Sequence, residues 1–293
     1  MSDFIVQTKN LIKSYGKHNA LDSLNMNVKE GFVYGLLGKN GAGKTTTLRM
    51  IMSLLKPTNG SIDVMGYEPT KMPIKQRQNI GYASDSMQLI PWLKVGEILN
   101  YNGSFYDTWD KEYVKQWADR LGLSLDKRVF QLSRGNRQKL GLIMAIGHRP
   151  KLVVLDEPAG GLDPIARKEF LESIIELIHE LGTTIILSSH ALSDLERISD
   201  YIGIIDQGKM QVEMSLEDLK SSTRQIKIVS KNKLENISFE DTLKLNSTEH
   251  LITGIFKNWD DDKSKKIIQK FPNATVEIQN LNLEEIFLAY AGK

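Results

Sequence analysis

Three short stretches hold residues whose types and spacing suit work on a phosphate chain. The first is GKNGAGKTTTLRM, residues 38–50. Gly38, Gly41 and Gly43, with Asn40 among them, let the backbone curl so that its N–H groups face phosphate oxygens, and Lys44 starts a helical pattern whose positive dipole end points to the same place. In such a loop Lys44 sits on the β- and γ-phosphates of a nucleotide and Thr45 ligates Mg²⁺. The second stretch, LVVLDEP (152–158), ends a strand-like run in two carboxylates. Asp156 is placed to hold Mg²⁺, and Glu157 to orient or deprotonate an attacking water. Alone, this pair reads as an acidic turn before Pro158; beside a phosphate loop it reads as chemistry. The third, TIILSSH, brings His190 to the end of another such run; alone it reads as a structural histidine, but at the same edge as Lys44 and Glu157 it can hydrogen-bond the γ-phosphate and hold that water in line.

These side chains meet only if a sheet delivers them to one edge. VYGLL (33–37), LVVL (152–155), TIILS (184–188) and YIGII (201–205) are short apolar runs bounded by turn or polar residues, as expected of strands buried on both faces of a parallel sheet. Ligands bind at the carboxyl edge of such sheets. Ahead of them, Leu24, Met26 and Val28 alternate with Asn25, Asn27 and Lys29, the period of a half-buried antiparallel edge. Asp163 as N-cap and Pro164 at the first helical position open a helix with Phe170, Ile174 and Ile178 on one face. Residues 86–148 carry no strand signal and crowd Trp92, Tyr101, Phe105, Tyr106, Trp109, Tyr113 and Trp117, which predicts a helical insertion. Beyond residue 219, RQIKIVS, HLITGIF and ATVEI read as strands and SKKIIQKF and LEEIFLAY as helices, a small α+β appendage. The expected units are therefore 1–219 and 220–293.

Composition narrows the partners. Lys plus Arg number 38 and Asp plus Glu 36, a formal charge of +2, which does not imply a strong field for nucleic acid; any basic site must be local, and no nucleic acid is expected as a partner. The absence of cysteine removes thiolate chemistry and fits a reducing compartment, with the cytoplasm as the default. The opening MSDFIVQTKN is unlike a secretory leader, and no window holds the roughly 18 apolar residues of a membrane helix. A role at a membrane then needs a separate anchor.

Residues 131–142, QLSRGNRQKLGL, are either a solvated basic helix start or a second phosphate-binding element. Ser133 can cap the helix, Gly135 allows close backbone approach, and the dipole favours an anion. Taken in order, SYG with Tyr15, GKNGAGKT, LSRGNRQ, LVVLDEP, GGLDP and SSH resemble the ATP-binding cassette (ABC) ATPases over roughly residues 3–215. The resemblance implies an α/β P-loop NTPase core with an antiparallel β edge, a helical subdomain and a C-terminal appendage. It further implies ATP and Mg²⁺ as cofactors, Tyr15 stacked on adenine, Thr46 at the α-phosphate and Asp163 at a subunit interface. Ser133 and Gly135 then complete the ATP site of a second subunit, either another copy of this chain or a similar one. Two departures stand out. Arg134 and Asn136 replace the usual middle glycine and glutamine of the signature. Asp85 lies where the family normally has a glutamine, so that Asp85 as a direct Mg²⁺ ligand and Gln88 through a shifted loop are both open.

The ending LNLEEIFLAY is similar to the tail of ATPases that serve exporters of antibiotics, peptides or lipids, whose membrane permease is a separate polypeptide. That likeness implies a peripheral protein at the inner face of the cell membrane. The rivals are a soluble cassette acting on ribosomes or DNA, against which the near-neutral charge and missing heptad array count, and a slow nucleotide-state regulator.

Overall fold

The computed structural model describes residues 4–234 and 239–291; the outermost ends of the two expected units lie outside the described residues. β1 (Phe4–Tyr15) and β2 (His18–Lys29) form a long antiparallel hairpin. Its alternation is as expected: Leu24, Met26 and Val28 are buried and Asn25 exposed. The chain then enters the central sheet as β3 (Val33–Leu37), turns through the glycine-rich loop into α1 (Lys44–Ile51), and returns as β4 (Asn59–Val64) beside β1.

After α2 (Ile74–Arg77) and β5 (Ile80–Ser84) comes the helical segment, α3 (Val95–Gly103), α4 (Lys111–Arg120) and α5 (Arg134–Ile146), with no β-strand among its described residues. Its aromatics divide by role. Tyr113 and Trp117 are buried, and Trp109 lies so close over Gly103 and Gly147 that a Cβ at either would come within 2.6 Å of its ring. Trp92, Tyr101 and Phe105 stay exposed.

β6 (Leu152–Asp156), α6 (Pro164–Leu181), β7 (Thr184–Ser188), α7 (Leu192–Ile198), β8 (Tyr201–Asp206) and β9 (Lys209–Ser215) complete the core. The central sheet runs β5-β6-β7-β3-β8-β9, parallel except for β8 with β9. Every residue of β3, β6 and β7 is buried, which explains their unbroken apolar text. Because the strands are in parallel register, Ser84, Asp156 and Ser188 end three adjacent strands side by side.

Past α8 (Leu216–Ser221), the strands β10 (Arg224–Ser230), β11 (Thr242–Ser247) and β12 (Leu251–Phe256), the helix α9 (Asp261–Lys270) and β13 (Ala274–Asn280) build a four-stranded antiparallel sheet with one covering helix. It has its own core of Ile226, Ile228, Ile252, Phe256, Ile267 and Phe271. The last helix, α10 (Leu283–Tyr290), leaves that sheet and packs on α7, so that Leu283 and Ile286 share the ATPase core with Leu195 and Ile198. An Asn282–Glu285 capping box starts this helix. The unit expected at 220–293 thus has its own sheet but rests on the larger unit through its final helix.

Candidate active site

The glycine-rich loop is held by close packing. Gly43, at φ 113°, caps α1, and a Cβ there would strike Leu21 Cδ2 at 2.5 Å and Ala20 O at 2.8 Å. A Cβ on Gly38 would meet Ile205 O at 2.6 Å. Gly41 also has positive φ but faces open space. With Asn40 it lines a cavity of about 410 Å³ whose rim includes His18 and Asn19 from the tip of the β1–β2 hairpin. Tyr15 stands at that tip, exposed, with Lys13 Nζ 5.3 Å above its ring. The ring is 52% exposed, so it is accessible for the stacking role expected of it.

Lys44 is 7% exposed and donates through Nζ to Gly38 O at 2.7 Å, while lying 3.8 Å from Glu157 Oε1. Thr45 Oγ1 donates to Asp156 Oδ1 at 3.2 Å. Thr46 follows on the same turn, half-buried. A buried cation beside paired hydroxyl and carboxylate oxygens is a donor set that fits a triphosphate with Mg²⁺, since that ion takes one or two protein oxygens and fills its octahedron from phosphate and water.

The carboxyl edge of the sheet arranges the rest. Ser188 Oγ donates to Asp156 Oδ1 at 2.7 Å, and the backbone N–H of Glu157 donates to Ser188 Oγ at 3.0 Å. Glu157 itself has φ 53°, a left-handed conformation that costs a non-glycine residue about 1–3 kcal/mol. The His190 backbone N–H donates to Glu157 Oε2 at 3.1 Å, and His190 Nδ1 lies 2.6 Å from the same oxygen. His190 on Oε2 and Lys44 near Oε1 thus restrict where the Glu157 carboxylate can point. Ser188 escaped the motif reading; the signal was its place in strand register opposite Asp156.

Around the signature, Ser133 is the N-cap of α5 and accepts from the Asn136 N–H at 3.2 Å. Gly135 lies against Leu162, whose Cδ2 would be 3.1 Å from an added Cβ. Asp163 caps α6 by accepting from Ile165 and Ala166. The expected metal role of Asp85 meets a competing use of the same carboxylate: Arg134 donates to both of its oxygens, at 2.8 and 2.6 Å, and Gln138 Nε2 to Oδ1 at 3.2 Å. The Arg134–Asp85 hydrogen bond, then the Asp85 charge, raises the basicity of the Arg134 guanidinium further. Gln88 is exposed.

Residues 21–160 match the protein family described as ABC transporter. The chain is 39% identical over 222 residues, 75% of its own length and 72% of the relative's, to the bacitracin transport ATP-binding protein BcrA of Bacillus licheniformis. This chain belongs to the ABC transporter ATP-binding proteins. A second member, the uncharacterised ABC transporter ATP-binding protein YcbN of Bacillus subtilis, is 33% identical over 97% of this chain and 96% of its own, so the kinship runs through the C-terminal unit as well. Among solved structures, a dimeric ATP-binding cassette in a post-hydrolysis state with ADP and Pi aligns with TM-score 0.64 and 25% identity, over 72% of this chain and 98% of that one. As an ABC ATPase, the chain binds ATP with Mg²⁺ and hydrolyses it.

Proposed function

We propose that this chain is the energy-coupling subunit of an exporter, closing as a dimer on two ATP molecules and driving a separate membrane permease that moves a drug, peptide or lipid-like cargo. The observation that carries it is the convergence of Lys44, Thr45, Asp156, Glu157 and His190 at one sheet edge, in a chain 39% identical to a bacitracin transport ATP-binding protein. No helix among the described residues is long and apolar enough to cross a membrane; on this reading a separate permease provides the transport path.

This reading gives each residue a role. Tyr15 stacks on adenine, the loop from Gly38 through Asn40, Gly41 and Gly43 to Lys44 wraps the phosphates, and Thr46 reaches the α-phosphate. Thr45 and Asp156, whose carboxylate Ser188 fixes, would hold Mg²⁺, which would supply positive charge for the phosphate oxygens during transfer. Glu157 orients the attacking water and takes its proton, and His190 keeps Glu157 aimed. Ser133 and Gly135 serve the partner's nucleotide, and Asp163 with the exposed Ile165 lies at the joint between subunits. We place the protein at the inner face of the cell membrane, held there by its permease.

Two measurements test this. Mg²⁺-dependent phosphate release by the purified chain should fall about 10- to 150-fold in Lys44→Ala, which removes a charged hydrogen-bond donor worth about 1.5–3 kcal/mol. Affinity purification from detergent-solubilised membranes should bring a multi-span protein in stoichiometric amount; ribosomal proteins or DNA in its place would transfer the engine to a soluble load.

A further inference from the structure

The two departures from the family pattern, 49 residues apart in sequence, are partners in space. Arg134 presents its guanidinium to Asp85 as a fork, with Nε 3.2 Å and Nη2 2.8 Å from Oδ1, and Nη2 2.6 Å from Oδ2. The guanidinium also lies flat against the glycines that precede Asp163: a Cβ on Gly161, at φ 69°, would fall 2.1 Å from Nη1. One helical turn on, Gln138 is 9% exposed and donates through Nε2 to both Asp85 Oδ1 and, at 2.8 Å, Gly160 O. Its Oε1 is buried with no partner in the structure, an expense in stability that packing alone does not explain.

We propose that Asp85 and Arg134 act as one positioning unit that sets the signature helix against the GGLDP turn, so that Ser133 and Gly135 reach a second subunit's nucleotide in register. This rests on the reading of the chain as an ATPase that closes as a dimer. The physical case has three parts. An arginine in the first turn adds a full positive charge to a helix end that already carries about half a charge, and Asp85 cancels that excess. The pair is partly exposed, 56% at Arg134 and 33% at Asp85, so it adds little to stability. Its bidentate geometry instead fixes direction, which a lysine or a neutral amide would not reproduce. The pair, with Gln138, thus ties together three motif segments: the end of β5, the start of α5 and the turn before α6.

A charge-swap cycle on the full-length protein tests this. Asp85→Arg and Arg134→Asp singly should each lower kcat for ATP at least about tenfold while changing KM less than about twofold, because Tyr15 and Lys44 bind nucleotide elsewhere. The double swap should recover kcat to within about threefold of the unsubstituted chain. A cavity of about 300 Å³ beside Asp85 leaves room for the longer side chain. Asp85→Asn and Arg134→Gln, with melting temperatures alongside, keep the test open if a reversed charge misfolds: both should lower kcat without lowering Tm. The proposal fails if the double swap is no better than the worse single, or if these neutral variants leave kcat unchanged. It fails equally if Asp85→Asn raises the Mg²⁺ requirement while Arg134→Gln does not, which would make Asp85 a metal ligand. Failure of the underlying ATPase reading looks different, as absent turnover in the unsubstituted chain.

Discussion

His190 Nδ1 lies 2.6 Å from Glu157 Oε2, and the His190 backbone N–H donates to that same oxygen. If Glu157 is the base proposed above, this contact and the left-handed backbone fix its aim before ATP arrives. Glu157→Gln keeps the shape and removes the proton acceptor, so phosphate release should fall roughly 10²–10⁴-fold while ATP binding persists and the ATP-bound dimer accumulates. His190→Ala should lower kcat with KM nearly unchanged, because it loosens the aim of Glu157 and leaves Lys44 in place. More than a tenth of normal turnover in Glu157→Gln would remove Glu157 from the role of base.

His148 gives the fold a pH dependence distant from catalysis. It is 1% exposed and stacks on Tyr106 with ring centres 3.9 Å apart. Burial pushes its pKa down to about 4 from an ordinary 6.5. The unfolded chain therefore binds a proton that the folded chain refuses. Stability from this group is complete above about pH 6.5 and is lost as pH falls from there toward 4, by up to about 3 kcal/mol. Urea unfolding of the unsubstituted chain at pH 7 and 4.5 should show a larger loss than that of His148→Phe; parallel losses would exclude His148 as the source.

The last helix makes the C-terminal unit part of the ATPase core. Ile286 is fully buried in the cluster that contains Leu195 and Ile198 of α7, and α7 begins just after His190. Ile286→Ala should cost about 2–5 kcal/mol, the range for a buried large-to-small change. Melting should then move the ATPase unit and the C-terminal sheet together. An early, separate transition of residues beyond 220 would mean that α10 adds little to the core.

What was legible in the sequence was whatever rests on local backbone demand. The loop around Lys44 needs glycines where side chains have no room, the buried parallel strands need unbroken apolar text, and Asp163–Pro164 marks a helix start. Less was legible where distant residues meet. Nothing local joins Asp85 to Arg134, and Ser188 acquires its role only from strand register. The strand β11 was missed because TLKLNS, at the sheet's edge, alternates weakly and buries little. The aromatic segment reads alike throughout, yet only packing divides Tyr113 and Trp117 from Trp92 and Phe105.

That division selects where a permease should dock. Phe105 and Tyr106 line a groove of about 470 Å³ with Leu54, Ile74 and Met144, between α2, the end of α3 and α5. Ile74, Leu54 and Phe105 are 81%, 64% and 58% exposed around this groove, an apolar cluster of the kind that marks contact surfaces. A cytoplasmic helix of the membrane subunit would bury these groups without touching Lys44, Glu157 or His190. Phe105→Ser and Ile74→Ser should then leave the basal ATPase of the isolated chain within about twofold, yet abolish most of the stimulation seen in membranes that contain the permease, since anchor residues carry much of the energy of an interface. Trp92, 67% exposed on the preceding segment, supplies the comparison. If Trp92→Ala uncouples transport and the groove variants do not, the docking surface lies on the loop before α3, not in the groove.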